Sequence, residues 1–86
     1  MSILNEIQFQ IINSLVFAEP FDTLAEEVDA TEPVIAAELK TLIDKRFVQV
    51  LEDVEGSLRK SFYYDSDNMR AFQYQATSRG LDGLNK

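Results

Sequence analysis

Carboxylates are the most abundant reactive side chains in this chain, and their spacing does not assemble a reaction. Fifteen Asp and Glu stand against eight Lys and Arg, with no histidine and no cysteine. Glu26-Glu27 and Glu52-Asp53 are neighbours in sequence, so the members of each pair project differently and do not flank one substrate. Without His or Cys, and with no glycine-rich phosphate loop, no nucleophile, base and orienting partner come together. Asp65-Ser66-Asp67-Asn68 begins like an EF-hand calcium loop, but no glycine follows at its sixth position and no Glu closes it at the twelfth. The expectation is a protein that is not an enzyme and holds no metal or cofactor.

The other chemistry open to these residues is recognition. Arg59-Lys60, with Arg70 and Arg79, are the cations that could gather on one side and reach phosphates or a minor groove. The competing role for the pair is cross-strand pairing with Glu52, Asp53 or Glu55. Against nucleic acid stands a formal net charge of −7, because phosphate attraction to Lys and Arg dominates nonspecific affinity. Phe62, Tyr63, Tyr64, Phe72 and Tyr74 read first as core, with alternate members facing the helices. Asp65 and Asp67 beside them disfavour a stacking platform for single strands.

The elements that must position these groups follow from hydrophobic period. The segment Ile3 to Ala18 carries Ile7, Ile11 and Leu15 at steps of four, a helical stripe ended before Pro20. A second helix is expected from Asp22 or Thr23 to about Val28, with Thr23 and Glu26 as a capping box. After a turn at Asp29-Ala30, Thr31 caps a third helix with Pro33 in its first turn, carrying Ile35, Leu39 and Leu42 and running to about Lys45. Lys45 and Arg46 at its end suit the helix dipole. From Phe47 the period changes to that of a strand, Glu55-Gly56 makes a turn, and Leu58 to Tyr64 returns. Asp65 to Asn68 is turn-like, Phe72 to Ala76 is a third strand, and Thr77 caps a short helix from Ser78 to Leu84 that Gly80 and Gly83 weaken.

Eighty-six residues make one domain, 1–86, with a modest core. No apolar run reaches the roughly 18 residues that span a bilayer, and the start lacks the pattern of a signal peptide. The composition points to a soluble, cytoplasmic protein.

The order of helices and hairpin resembles the winged helix-turn-helix superfamily, an α+β fold, and is most similar to small bacterial regulators of the MarR and ArsR kind. The resembling residues are Leu24-Ala25, Val28, Thr31, Ile35, Leu39, Leu42 and Phe47-Val48. Asp67 with Arg70-Ala71 looks like the acid–arginine–alanine element of the wing. Tyr74-Gln75-Ala76-Thr77-Ser78-Arg79-Gly80 looks like the Leu-Thr-x-x-Gly that follows it. The resemblance implies a three-helix core, a hairpin wing, a short C-terminal helix, and a DNA-binding regulator of transcription. It puts Thr31, Glu32, Ala36, Ala37, Lys40 and Thr41 at the groove of double-stranded DNA and makes Arg59, Lys60 and Arg70 wing contacts.

Three features depart from the family pattern. Arg46 stands where the exit of the third helix normally has glycine, so the exit is expected to be strained or differently shaped. The wing is long. The recognition helix offers only Lys40 and Thr41 as polar groups suited to a duplex. The second expectation is therefore an acidic module that binds protein through Pro33, Val34, Ala36 and Ala37, or forms a homodimer through Ile3, Phe9 and Phe17 on the first helix.

Overall fold

Asn5 fixes where the first helix begins. In the computed structural model, which describes residues 3–61 and 63–85, the Gln8 N–H donates to Asn5 Oδ1 at 2.8 Å and the Asn5 N–H donates to Gln8 Oε1 at 3.2 Å. This reciprocal box opens α1, Glu6–Ser14. The helix is shorter than the apolar stripe from Ile3 to Ala18. The chain leaves it at Leu15, whose carbonyl accepts the Ala76 N–H at 2.8 Å.

Pro20 ends that connection and is itself the N-cap of α2, Phe21–Glu27. Glu19–Pro20 pairs with a later strand as β1, an element too short to show a period in the sequence. Thr23 already lies inside α2, and its hydroxyl donates to the Glu19 carboxylate at 3.2 Å. The capping box with Glu26 is therefore not formed, because the N-cap is Pro20, three residues before Thr23. α3 spans Glu32–Asp44, with Thr31 at the N-cap position but without a side-chain bond, and Pro33 in the first turn.

The exit of α3 is a glycine-type turn made by an arginine. Arg46 has φ 64°. The Phe47 N–H donates to the Leu42 carbonyl at 2.9 Å and the Arg46 N–H to the Ile43 carbonyl at 3.0 Å. This is the Schellman arrangement, in which the left-handed residue usually has no Cβ. The left-handed conformation costs an L-residue about 1–2 kcal/mol, partly offset in a glycine variant by greater unfolded-state freedom. Arg46→Gly is expected to stabilise the fold by about 0.5–1 kcal/mol, read as a rise in the urea midpoint.

β2, Val48–Val54, and β3, Ser57–Ser61, form a hairpin around Glu55 and Gly56, with φ of 53° and 84°. Two central residues with positive φ give the turn that matches strand twist. Asp53 Oδ1 accepts the Gly56 N–H at 2.9 Å. β3 ends earlier than the expected return to Tyr64, and Phe62 lies outside the described residues. A short 3-10 turn, Met69–Ala71, leads to β4, Gln73–Ala76. The sheet is antiparallel with order β1-β4-β2-β3, so β3 is an edge. α4, Ser78–Gly83, begins at Thr77, whose Oγ1 accepts the Gly80 N–H at 3.1 Å.

Among the described residues the result is an α+β arrangement of four α-helices and one four-stranded antiparallel sheet. Val48 and Val50 on β2 stand opposite Ala76 and Tyr74 on β4, and all four are buried with Ile11, Ile12, Leu24, Ile35, Leu39 and Leu42. Phe72 and Tyr74 belong to this core, while Tyr63 is 68% exposed and meets Phe72 only edge-on. Among the described residues no helix is long and apolar enough to cross a membrane.

The Tyr74 hydroxyl donates to the Met69 carbonyl at 2.6 Å. Burial, and secondarily the charge of Tyr64, push its phenol well above the ordinary value. Below about pH 10 both folded and unfolded states hold this proton. Above it the unfolded chain releases it first, so stability falls as pH rises, by up to about 1.4 kcal/mol per pH unit for this one group. Urea titrations above pH 10 are expected to show that slope, flattened in Tyr74→Phe.

Candidate interaction surface

The buried stripe of α3 decides which of its residues face outward. Ile35, Leu39 and Leu42 have no exposure, and their spacing of four and three puts them on one side of the helix. Pro33, Val34 and Ala37 lie exposed on the other side, with Thr31 and Glu32 at the N-terminal end. Ala36, Lys40 and Thr41 are half-buried at the edge, and Ala36 packs against the core. The Thr41 hydroxyl donates back to the Ala37 carbonyl at 3.3 Å. Of the six residues expected to face a groove, Thr31, Glu32 and Ala37 are exposed and the other three lie at the flank.

Arg70 is not part of the hairpin that carries Arg59 and Lys60. It sits on the 3-10 turn, where Nε donates to Asp22 Oδ1 at 2.5 Å and Nη2 donates to Glu32 Oε1 at 2.6 Å. Its guanidinium also lies 5.1 Å from the centroid of the Phe21 ring. The bond to Glu32, then that to Asp22, raise the already high pKa of this group. One arginine thus ties the starts of α2 and α3 to the turn before β4. Beside it runs a groove of about 220 Å³ with Phe21, Pro33, Ala36 and Met69 as its apolar lining and Glu32, Asp67 and Arg70 among its polar groups.

The remaining cations are dispersed. Arg59 pairs in register with Glu52, and Lys60 with Leu51, on the exposed edge strand β3. Successive strand residues point to opposite faces of the sheet, so Arg59 and Lys60 do not form a one-sided pair. Asp53, another candidate partner for them, is turned to the Gly56 N–H instead. The Arg79 guanidinium lies over the Phe47 ring at 5.6 Å, on α4. Lys60 and Arg46 share a cleft of about 380 Å³ with Asp44, Tyr63 and Tyr64. Burial, then the Asp44 carboxylate, push the Tyr64 phenol up, so it stays a neutral donor near neutral pH.

Phe21, Asp22 and Met69 are the site residues that the sequence does not announce. Phe21 and Met69 line the groove, and Asp22 binds Arg70 beside it, only because the 3-10 turn folds back onto α2; Asp22 and Arg70 lie 48 residues apart. The chain matches no protein-family model, no curated protein and no solved structure.

Proposed function

We propose that this chain is a winged helix-turn-helix module whose third helix engages a protein, in preference to a DNA groove. The element order supports the first half of that reading: three helices, a tight hairpin, a returning strand and a short last helix. The second half rests on one observation, the binding of Arg70 by both Asp22 and Glu32 at the N-terminal end of α3. The cation nearest that end already has two carboxylate partners, so it offers little to a phosphate, and phosphate attraction is the main source of duplex affinity.

What α3 presents instead is a small apolar strip, Pro33, Val34 and Ala37, between Glu32 and Glu38. Glu38 is held in place by Asn5 Nδ2, which donates to it at 3.0 Å. Such a surface suits a partner segment with an apolar anchor flanked by Lys or Arg, the carboxylates supplying specificity and encounter rate. The groove lined by Phe21 and Met69 extends the apolar contact.

A second reading, a DNA-binding regulator of transcription, draws on the hairpin. Arg59 and Lys60 are exposed there, and phosphate contacts need no exact geometry. Photocrosslinking separates the two. With a photoreactive side chain at Val34, the expected product in cells of the source organism is one defined protein adduct, lost when Ala37→Arg is added. With the probe at Glu55, on the hairpin tip, the expected product is weak or absent. Nucleic-acid adducts from Glu55, with none to protein from Val34, would overturn the proposal in favour of the regulator.

A further inference from the structure

We infer that two copies of this chain associate through the outer face of α1 and the bend that follows it, around Phe9, Val16 and Phe17. Phe17 is 75% exposed, and Phe9 and Val16 are 42% exposed each; Phe9 lies on α1, whose other side carries the fully buried Ile11 and Ile12, and Val16 and Phe17 lie in the bend just after it. Phe9 and Asn13 stand one above the other on the helix, four residues apart, and Val16 and Phe17 follow directly at its end. Ile3 does not belong to this face. It lines a separate pocket with Phe47, Arg79 and Asp82.

The charge pattern identifies the occupant. From residue 7 to residue 18 no side chain is charged, in a chain that is 27% charged and carries −7 overall. A foreign basic partner would gain from the carboxylates found everywhere else and has no reason to choose this stretch. A second copy meets the opposite situation. Most other faces would set carboxylates against carboxylates, whereas a two-fold contact here sets an uncharged, partly aromatic face against itself. The polar groups within it, Gln10 and Asn13, carry no charge to desolvate, and Gln10 already accepts the Asp29 N–H at 2.8 Å.

The area limits the strength of the association. The three apolar side chains expose roughly 300 Å², taking about 200 Å² for a whole phenylalanine. Stable complexes bury about 800 Å² on each partner, so the dimer is weak and forms with concentration. Its salt response is opposite to that of an ion-paired interface, because screening relieves the repulsion between two acidic copies.

Sedimentation equilibrium on the full chain tests this. The weight-average mass is expected to rise with concentration from the monomer toward twice its value, and to rise further when salt is added. Phe9→Asp and Phe17→Asp should each hold the chain at monomer mass with an unchanged urea midpoint, since both side chains are exposed in the folded monomer. Leu58→Asp, on the edge strand, should leave the association intact. A wild-type chain that stays monomeric at every concentration and salt overturns the inference. So does association that survives both phenylalanine changes, or that Leu58→Asp abolishes.

Discussion

Replacing Gly80 with alanine is expected to destabilise the fold by about 3 kcal/mol or more, at the strong end of overpacking costs. Helix propensity alone gives the opposite sign, because alanine is favoured over glycine inside a helix by about 1 kcal/mol. The structure explains the reversal. A Cβ on Gly80 would stand 2.1 Å from the Phe47 carbonyl oxygen and 3.1 Å from Ile12 Cδ1. That oxygen cannot easily retreat, since it accepts the Thr77 N–H at 3.0 Å. The preceding carbonyl is fixed as well, because Thr77 Oγ1 donates to the Arg46 oxygen at 2.7 Å. α4 is thereby clamped onto the exit of α3. A domain of this size has roughly 5–10 kcal/mol of stability in all, so the variant should lose much of it. Urea unfolding measures this directly, and a midpoint equal to or above that of the parent would show that the close approach is absent.

Leu39→Ala is expected to cost about 3 kcal/mol, through lost transfer energy and the cavity left between α3, α1 and the sheet. Ala37→Glu, two residues away, should change stability by no more than about 0.5 kcal/mol because its side chain faces solvent. The contrast matters for function as well as for folding. It fixes the rotation of α3 about its own axis, and therefore which residues any partner can touch. If the two substitutions had similar effects, Pro33, Val34 and Ala37 would not form the outward strip, and the proposed interaction surface would be lost.

The parts of this fold legible in the sequence are those set by local periodicity or by a residue with a narrow backbone preference. The stripe Ile35, Leu39, Leu42 locates α3 and its buried face. Gly56 marks the hairpin turn, and Thr77 caps α4 with its own hydroxyl. Arg46 takes the left-handed conformation expected of a glycine at that place, so the geometry of the exit outweighs the residue's own preference. What the sequence hides depends on distant partners. Gly80 reads as a helix weakener until Phe47 is brought against it. Glu19–Pro20 is a strand only because β4 arrives beside it.

The candidate surface divides in the same way. The exposed side of α3 follows from its buried side, so Pro33, Val34 and Ala37 can be placed from spacing. The expectation that Arg59 and Lys60 gather on one side overlooks the alternation of a strand, which sends neighbouring residues to opposite faces. Arg70 is different. Its neighbours in sequence give no hint of Asp22 and Glu32, which lie 48 and 38 residues away and bind it through a turn that has no repeating pattern. The charge available to α3 is therefore a property of the tertiary fold.

The central claim, that α3 and its surroundings are not arranged for phosphate, is tested most directly by titrating a random-sequence duplex pool with the protein at low ionic strength and following fluorescence anisotropy. The expected result is no saturable binding beyond that of an unrelated acidic protein of similar size, with or without charge reversal at Lys40, Arg59 and Lys60. Saturable binding whose affinity falls steeply with added salt, and which those charge reversals abolish, would contradict the account.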